Sequence, residues 1–506
     1  MKKIIIIVVI LQVLVINARS QHEHHQPQKK DPVKTTQKKN TTKKTSKKEA
    51  DSQTKTTQVN PKKDSVTMRL DQTADTLPSH DQHMKMDTIP ADSTHGQHNM
   101  MDMTHAYSLN LPMNRNGSGT GWQPDATSMY GYMKMGKKWN LMVHGSIFFR
   151  YNHQDVTNKT RRSDSLNDRW DAPNWVMLMA NRKIKQRGLL ALSLMLSADK
   201  LIMGGDGYPL LFQSGETYKQ KPLVDRQHPH DVISGLSIGY THMINRDMDV
   251  TGYFGFPGEP AIGPPAFMHR MSSFNNPDAT LGHHWQDATH ITFGLVTMGL
   301  RYKILKLEFS NFTGREPDEN RYDFDKPRFD SYSWRLSVNP NDNFSIQFSQ
   351  AFIKSPESLE PDENVTRTTA SVLHSIILGE KTHLSSAIIW GNNQKWDSKP
   401  EHSALVESNL QINRSAYYMR FESIQKSASE LQINQQNGHE LFPVNMLTLG
   451  SSYNVLTFLN TNLRAGLQGS IYTSSEKLRS VYGRNPLAFE AYLRLSPINI
   501  NALKMK

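Results

Sequence analysis

The sequence contains no cysteine. That excludes a disulfide framework and a lipid-anchored cysteine. Long apolar runs are scarce as well. The longest, residues 4–16, is interrupted by Gln12 and is too short for an ordinary membrane-spanning helix of ~20 residues. Behind Lys2 and Lys3, and ahead of the small residues Ala18 and Ser20, it reads as a secretory signal over residues 1–20, with Gln21 opening the mature chain. Catalytic signatures are missing too. There is no HExxH helix, no serine in the strand-turn-helix setting of a nucleophile elbow, and no phosphate loop, since Gly117 to Gly121 lacks the setting such a loop needs. No enzymatic activity is expected.

Residues 21–78 are poor in apolar side chains. Residues 21–70 hold 12 Lys and 1 Arg against 5 acidic residues, a net +8 of the chain's +12. The rest is mainly Thr, Gln and Ser, with too little to bury to offset the cost of ordering. The segment is read as a disordered linker, and the basic balance of the chain belongs to it. A plain spacer and contact with anionic headgroups or surface polysaccharide are the two roles open to it. Export leaves no nucleic-acid partner to expect.

Residues 79–106, by contrast, are rich in histidine and methionine. HDQHMKMD, from His80, is echoed fifteen residues later by HGQHNMMDM, from His95. The candidate ligands are His80, His83, Met84, Met86, His95, His98, Met100, Met101, Met103 and His105. Thioethers are soft and favour Cu(I), while imidazole accepts Cu(II), Zn(II) or Ni(II). Flanking Asp, Thr, Gln and Pro leave no apolar face that a buried helix would need. A copper ion is the expected cofactor, with general divalent-metal scavenging or no metal at all as the alternatives, and binding by avidity suits a flexible tract.

From residue 138 the pattern changes to period two. Leu141, Val143, Ile147, Phe149 and Tyr151 share one face, opposite His144, Ser146, Arg150 and Asn152. Leu190, Leu192, Leu194 and Leu196 stand opposite Ala191 and Ser193. The polar face carries Glu407, Arg420, Glu422, Arg464, Glu490 and Arg494, which suits a wet lumen better than a core. Strand patterns begin near residues 140, 174, 188, 232, 247, 289, 303, 331, 344, 366, 382, 402, 415, 444, 460 and 487, and the connections alternate between short and long. A sandwich or propeller gives no reason for that alternation. The fold class expected is all-β: an antiparallel transmembrane β-barrel of about 16 strands over residues 138–496, behind a long disordered N-terminal tail. Residues 107–137 are a periplasmic segment leading into it, and residues 497–506 a C-terminal tail. The cell outer membrane is the expected location, with the N-terminal tail in the periplasm. Trp139, Trp175, Tyr302 and Trp390 lie near strand ends, where interfacial aromatic girdles form.

GSGTGWQPD (from Gly117), MYGYM (from Met129), NLMVHG (from Asn140), GYPLLFQSGE (from Gly207), LVDRQHPHD (from Leu223) and GPPAFMHR (from Gly263) together resemble a largely uncharacterised family of bacterial outer-membrane β-barrel proteins. The resemblance spans residues 117–302 and implies a barrel, with little about activity. The Met/His-rich exported tail ahead of a barrel is similar, in architecture only, to the outer-membrane copper-resistance B proteins.

Two successive long loops carry further candidates. The first holds Asp225, His228, His230 and Asp231; the second holds Glu259, Met268, His269, Met271, His283, His284, Asp287 and His290. Loops separated by one hairpin are neighbours at a barrel mouth, so these groups can converge. They read either as a metal or substrate site, with Met268 and His269 as the partners of His228 and His230, or as a hydrogen-bonded polar filling of the lumen. The function expected is metal (copper) binding, transport or resistance, with outer-membrane lipid and periplasmic metal-handling proteins as partners; the alternative is a general porin or surface barrel for an unrelated solute. A peptide spanning residues 79–105 should bind copper. Replacing its five methionines by leucine should abolish Cu(I) affinity and spare Cu(II), as read by competition with a chromogenic chelator for each oxidation state.

Overall fold

The computed structural model describes residues 106–157, 169–396, 398–433 and 438–500. The signal, the linker and the ligands proposed between His80 and His105 lie outside the described residues. The barrel strands are β1 Asn140–His153, β2 Asn174–Ile184, β3 Gly188–Leu196, β4 Ile233–Asn245, β5 Met248–Gly255, β6 Leu295–Tyr302, β7 Leu305–Phe312 and β8 Ser331–Asn341. They continue as β9 Phe344–Lys354, β10 Asn364–Gly379, β11 Thr382–Lys395, β12 Glu401–Ile412, β13 Ser415–Ser427, β14 Leu441–Phe458, β15 Thr461–Ser474 and β16 Leu487–Pro497. Each pairs antiparallel with the next, and β16 returns to β1, from Ile147 opposite Leu495 to His153 opposite Phe489. The result is a closed 16-stranded antiparallel barrel, the architecture of bacterial outer-membrane proteins.

Burial decides which face is which. On β4, Leu236, Ile238 and Tyr240 are exposed on the outside, while Ser237 and Thr241 point inward and are buried. On β12 and β13 the buried inward positions are Glu407, Arg420 and Glu422. Apolar outside and charged inside is the arrangement that lipid selects, since hydrocarbon solvates neither charge nor an unpaired backbone group. Tyr302 and Trp390 lie on the outer surface. Trp175 does not. It shares the inward parity of Met177 and Met179 on β2, and its ring packs 5.2 Å from His144 and 4.5 Å from His269.

Three segments fill the lumen. Residues 106–131 enter at the short-turn end, where Ala126 N donates to Asp342 O at 2.8 Å in the β8–β9 turn. Their contacts are with inward side chains of the wall. Arg335 Nη2 donates to Thr120 Oγ1 at 3.0 Å, Asn339 Nδ2 to Gln123 O at 2.9 Å, and Thr127 Oγ1 to Ser375 Oγ at 3.1 Å. The β3–β4 connection carries a hairpin of Tyr208–Tyr218 against Lys221–Gln227, packed beneath apolar residues of β13 to β16. The β5–β6 connection supplies the third segment. It is longer than the sequence pattern indicates, because the strand placed near Thr289 begins at Leu295. Residues 283–290 instead form short helical turns pinned to the wall, with Asn393 Nδ2 donating to His284 O and Gln286 Nε2 to Ser403 Oγ, both at 2.9 Å.

Buried ion pairs fasten these segments. Arg270 reaches Asp287 at 2.7 Å on its own loop and Glu407 at 2.8 Å on β12, and Arg420 joins Glu407 at 3.0 Å. Arg150 of β1 gathers Asp278 at 2.5 Å and Glu490 at 2.8 Å. Beyond Pro497 the chain turns back to the short-turn end, where Ile500 N donates to Met129 O at 2.8 Å. The face assignment has a direct check. Ile238→Arg, on the outer surface of β4, should destabilise the barrel by about 2–4 kcal/mol. Ser237→Ala, one residue along and facing in, should cost no more than about 1.5 kcal/mol for its lost hydrogen bond; urea titration in detergent with a gel-shift readout separates the two.

Candidate metal centre in the lumen

The two inward loops bring five histidines together. His228, His230, His290 and His283 form a ring of neighbours, with successive ring centres 6.3, 5.6, 5.1 and 6.1 Å apart. His284 lies 5.4 Å from His283 and 6.1 Å from His228. All five are buried. Gly215, on the luminal hairpin, makes room for this packing. At φ +129° a Cβ there would come within 2.3 Å of the His284 ring, so no other residue fits without displacing it.

Every one of these imidazoles has Nδ1 against an oxygen. His230 meets Asp199 at 2.7 Å, His283 meets Asp287 at 2.6 Å, and His284 meets Glu316 at 3.3 Å. His290 meets the Asp287 carbonyl at 2.9 Å and His228 the Pro229 carbonyl at 3.3 Å. An ionised carboxylate or a carbonyl can only accept, so Nδ1 carries a proton, and in the neutral ring the lone pair sits on Nε2. At His230, His284 and His290 Nε2 is buried and has no hydrogen-bond partner among the described residues. His228 Nε2 has Glu216 Oε1 at 3.1 Å, but off the line of a hydrogen bond. Nδ1 tied to an oxygen and Nε2 left open is the arrangement of metal-ligating histidine.

Charge in the cluster follows burial. Burial holds His228, His283 and His290 below the ordinary imidazole range, helped at His228 by Arg321 and at His290 by His283 and His230; His290 falls to about 3. Burial alone would raise the Asp287 carboxyl, yet the His283 hydrogen bond and Arg270 hold it well below the usual range. Glu216 goes the other way, raised by burial to about 8 despite its pairing with Arg321. Imidazoles backed by carboxylates and carbonyls form a donor set for a borderline metal such as Cu(II), Zn(II) or Ni(II). A tetrahedral ion ~2.0–2.1 Å from each nitrogen would set imidazole centres about 5 Å apart, so the sides of the ring are up to about 1 Å too wide for such an ion and its diagonals must close as well. Among the described residues the only group of three or more whose ligand atoms all lie within 4.8 Å is Asp318, Asp323 and Asp325, on the exposed β7–β8 loop.

The other candidates from sequence sit elsewhere. Asp225 is occupied by Phe212 N at 2.7 Å and Tyr482 Oη at 3.1 Å, and Asp231 by Arg321 at 3.2 Å. Both tie the loop to itself or to neighbouring loops, Tyr482 lying in the β15–β16 connection and Arg321 in the β7–β8 loop, and neither turns to the ring. His269 packs between His144 and Trp175, and Met268 borders a neighbouring cavity, so neither completes the His228–His230 pair. Nothing in local spacing singles out Glu216, Asp199 or Glu316; Glu216 stands in the GYPLLFQSGE motif, the one signal available for it. Gly235–Gly239 has the spacing of a serine nucleophile motif, but it lies inside β4, with Ser237 Oγ 2.5 Å from Ser193 Oγ.

No family model and no curated protein matches the chain. Solved structures similar in shape include a loop L8 deletion mutant of OmpT, an outer membrane protein of Vibrio cholerae, at 8% identity over 71% of this chain and 100% of that one, TM-score 0.42. Salmonella typhi OmpF in complex with daunomycin matches at 9% identity over 72% and 99% of the two chains, TM-score 0.43. An anion-selective porin from Comamonas acidovorans matches at 11% identity over 71% and 99%, TM-score 0.42. Likenesses of this size carry nothing about activity.

An imidazole whose folded pKa lies below its unfolded value of about 6.5 stabilises the fold above that value and loses the contribution as pH falls. The metal-free loops should therefore weaken below about pH 6.5, by roughly 1.4 kcal/mol per pH unit for each histidine kept neutral. Hydrogen exchange at residues 228–231 and 283–290, corrected for intrinsic rates, should accelerate on acidification while exchange in β13 and β14 does not.

Proposed function

We propose that this chain is an outer-membrane barrel that holds a transition-metal ion in its lumen, with copper the favoured metal. The exported His/Met tract would gather the same metal on the periplasmic side, from periplasmic metal-handling proteins. One observation carries the reading: buried imidazoles with Nδ1 anchored to oxygen and Nε2 left open, three of them without a partner among the described residues. A buried acceptor left unpaired costs about 1–3 kcal/mol, which a bound ion would offset. Copper is favoured because Cu(II) heads the affinity order for nitrogen ligands and Cu(I) suits the thioethers of the tail. The role is binding or passage of the ion, without catalysis. A general porin for an unrelated solute needs a water-filled bore, and in this barrel three chain segments occupy that space.

The test is metal titration of the full chain in detergent with Cu(II), Zn(II) and Ni(II). His283→Ala combined with His290→Ala should lose one bound ion per chain, or weaken it at least about tenfold, while the tail sites remain. Equal stoichiometry and affinity in the double variant, with barrel migration on gels preserved, would refute the lumen site.

A further inference from the structure

Beside the histidine ring, toward the short-turn end, lies a cavity of about 120 Å³ bordered by residues 106–131, the inner face of β1 to β4 and the β5–β6 loop. Nine of the chain's 24 methionines line it. Strand register orders most of them into two rows. Met133, on the short strand Tyr132–Met135, stands opposite Met142 of β1, which stands opposite Met179 of β2. Next to that row, His144 of β1 stands opposite Met177 of β2, and Met177 opposite Met195 of β3. Met268 and Met271 close the cavity from the inward loop.

Methionine is more often a filler of irregular gaps than a ligand, but two features set this patch apart. A filler leaves no void, since interiors pack to crystal density, whereas these thioethers border open space large enough for several waters. Finally, His144 and His290 line the same cavity, each with a buried Nε2 that has no hydrogen-bond partner among the described residues. Glu259, buried at the rim, can supply a compensating negative charge.

We propose that this cavity is a second metal site, distinct from the histidine ring, that binds a soft monovalent d10 cation, Cu(I) or Ag(I), through thioethers assisted by imidazole. Neutral sulfur donors suit such ions and discriminate against Zn(II), Mg(II) and Ca(II). His290 borders both sites, so an ion leaving one is adjacent to the other. The proposal stands on methionines that the histidine ring does not use.

The probe is silver nitrate in chloride-free buffer, applied to the full chain in detergent with the five tail methionines (Met84, Met86, Met100, Met101 and Met103) replaced by leucine. Adding Met142→Leu, Met177→Leu, Met179→Leu and Met195→Leu should remove one bound Ag(I) per chain, or weaken it at least about tenfold, and leave Zn(II) uptake unchanged. Leucine is close in volume, so the wall should survive. Unchanged Ag(I) stoichiometry and affinity would overturn the proposal. Should the fourfold variant fail to assemble, methyl-labelled methionine NMR of the parent decides. Ag(I) should shift the cavity methyl signals and leave those of Met298 and Met419, on the outer surface, in place; unmoved cavity signals would overturn it. Loss of an Ag(I) equivalent on the methionine changes, with no Zn(II) equivalent lost on His283→Ala with His290→Ala, would sink the histidine reading and leave this one standing, and the reverse result would do the opposite.

Discussion

The Arg270 guanidinium is the constraint on which the candidate centre depends. It bridges Asp287 of its own loop and Glu407 of the β12 wall, with all three side chains buried. Asp287 then does two further things: its carboxylate accepts from His283 and its carbonyl from His290. Two of the five imidazoles thus take their orientation from a residue that the wall holds in place. Removing one partner from such a buried network leaves an uncompensated charge at about 3–5 kcal/mol, comparable to a large fraction of a domain's net stability. The charged inner face of the barrel is therefore the scaffold of the loops, and it makes two long connections as fixed as strands.

That rigidity separates this barrel from an open pore. The β3–β4 and β5–β6 loops are largely buried, and wall side chains such as Ser310, Ser349 and Ser403 pair with several of their polar atoms. Where these two loops from adjacent hairpins meet, a carboxylate accepts from Nδ1 of His230 and of His284, and the Asp287 carbonyl accepts from Nδ1 of His290.

The barrel was legible in the sequence because period two and alternating loop lengths are both dictated locally. All sixteen strands lie at or near the positions their patterns indicate, apart from β6, whose start moves to Leu295. There the pattern failed because residues 283–290 answer to the wall and the other loop rather than to their own alternation. The convergence of the two His-bearing loops could be anticipated from topology, but which groups meet could not. GPPAFMHR directs Met268 and His269 away from His228, and HHWQDATH supplies the neighbours instead. Trp175 misled for a related reason: its place near a strand end suggests a girdle, and one residue of parity turns it inward. The methionine-lined cavity was invisible because its members are scattered singly over many strands and loops, each alternating with an outward residue.

Both luminal loops are joined at each end to neighbouring strands, and they fill the bore without being a separable domain. A plug of that kind cannot be expelled as a body. Any ion that crosses the barrel does so by exchange between side chains fixed to the wall, and its rate is set by how fast each site lets go. Flux under that law saturates once the sites are full and is insensitive to further concentration. An open bore of the same strand number instead passes solute in proportion to the gradient, so single-channel conductance is the wrong quantity by which to recognise exchange of that kind.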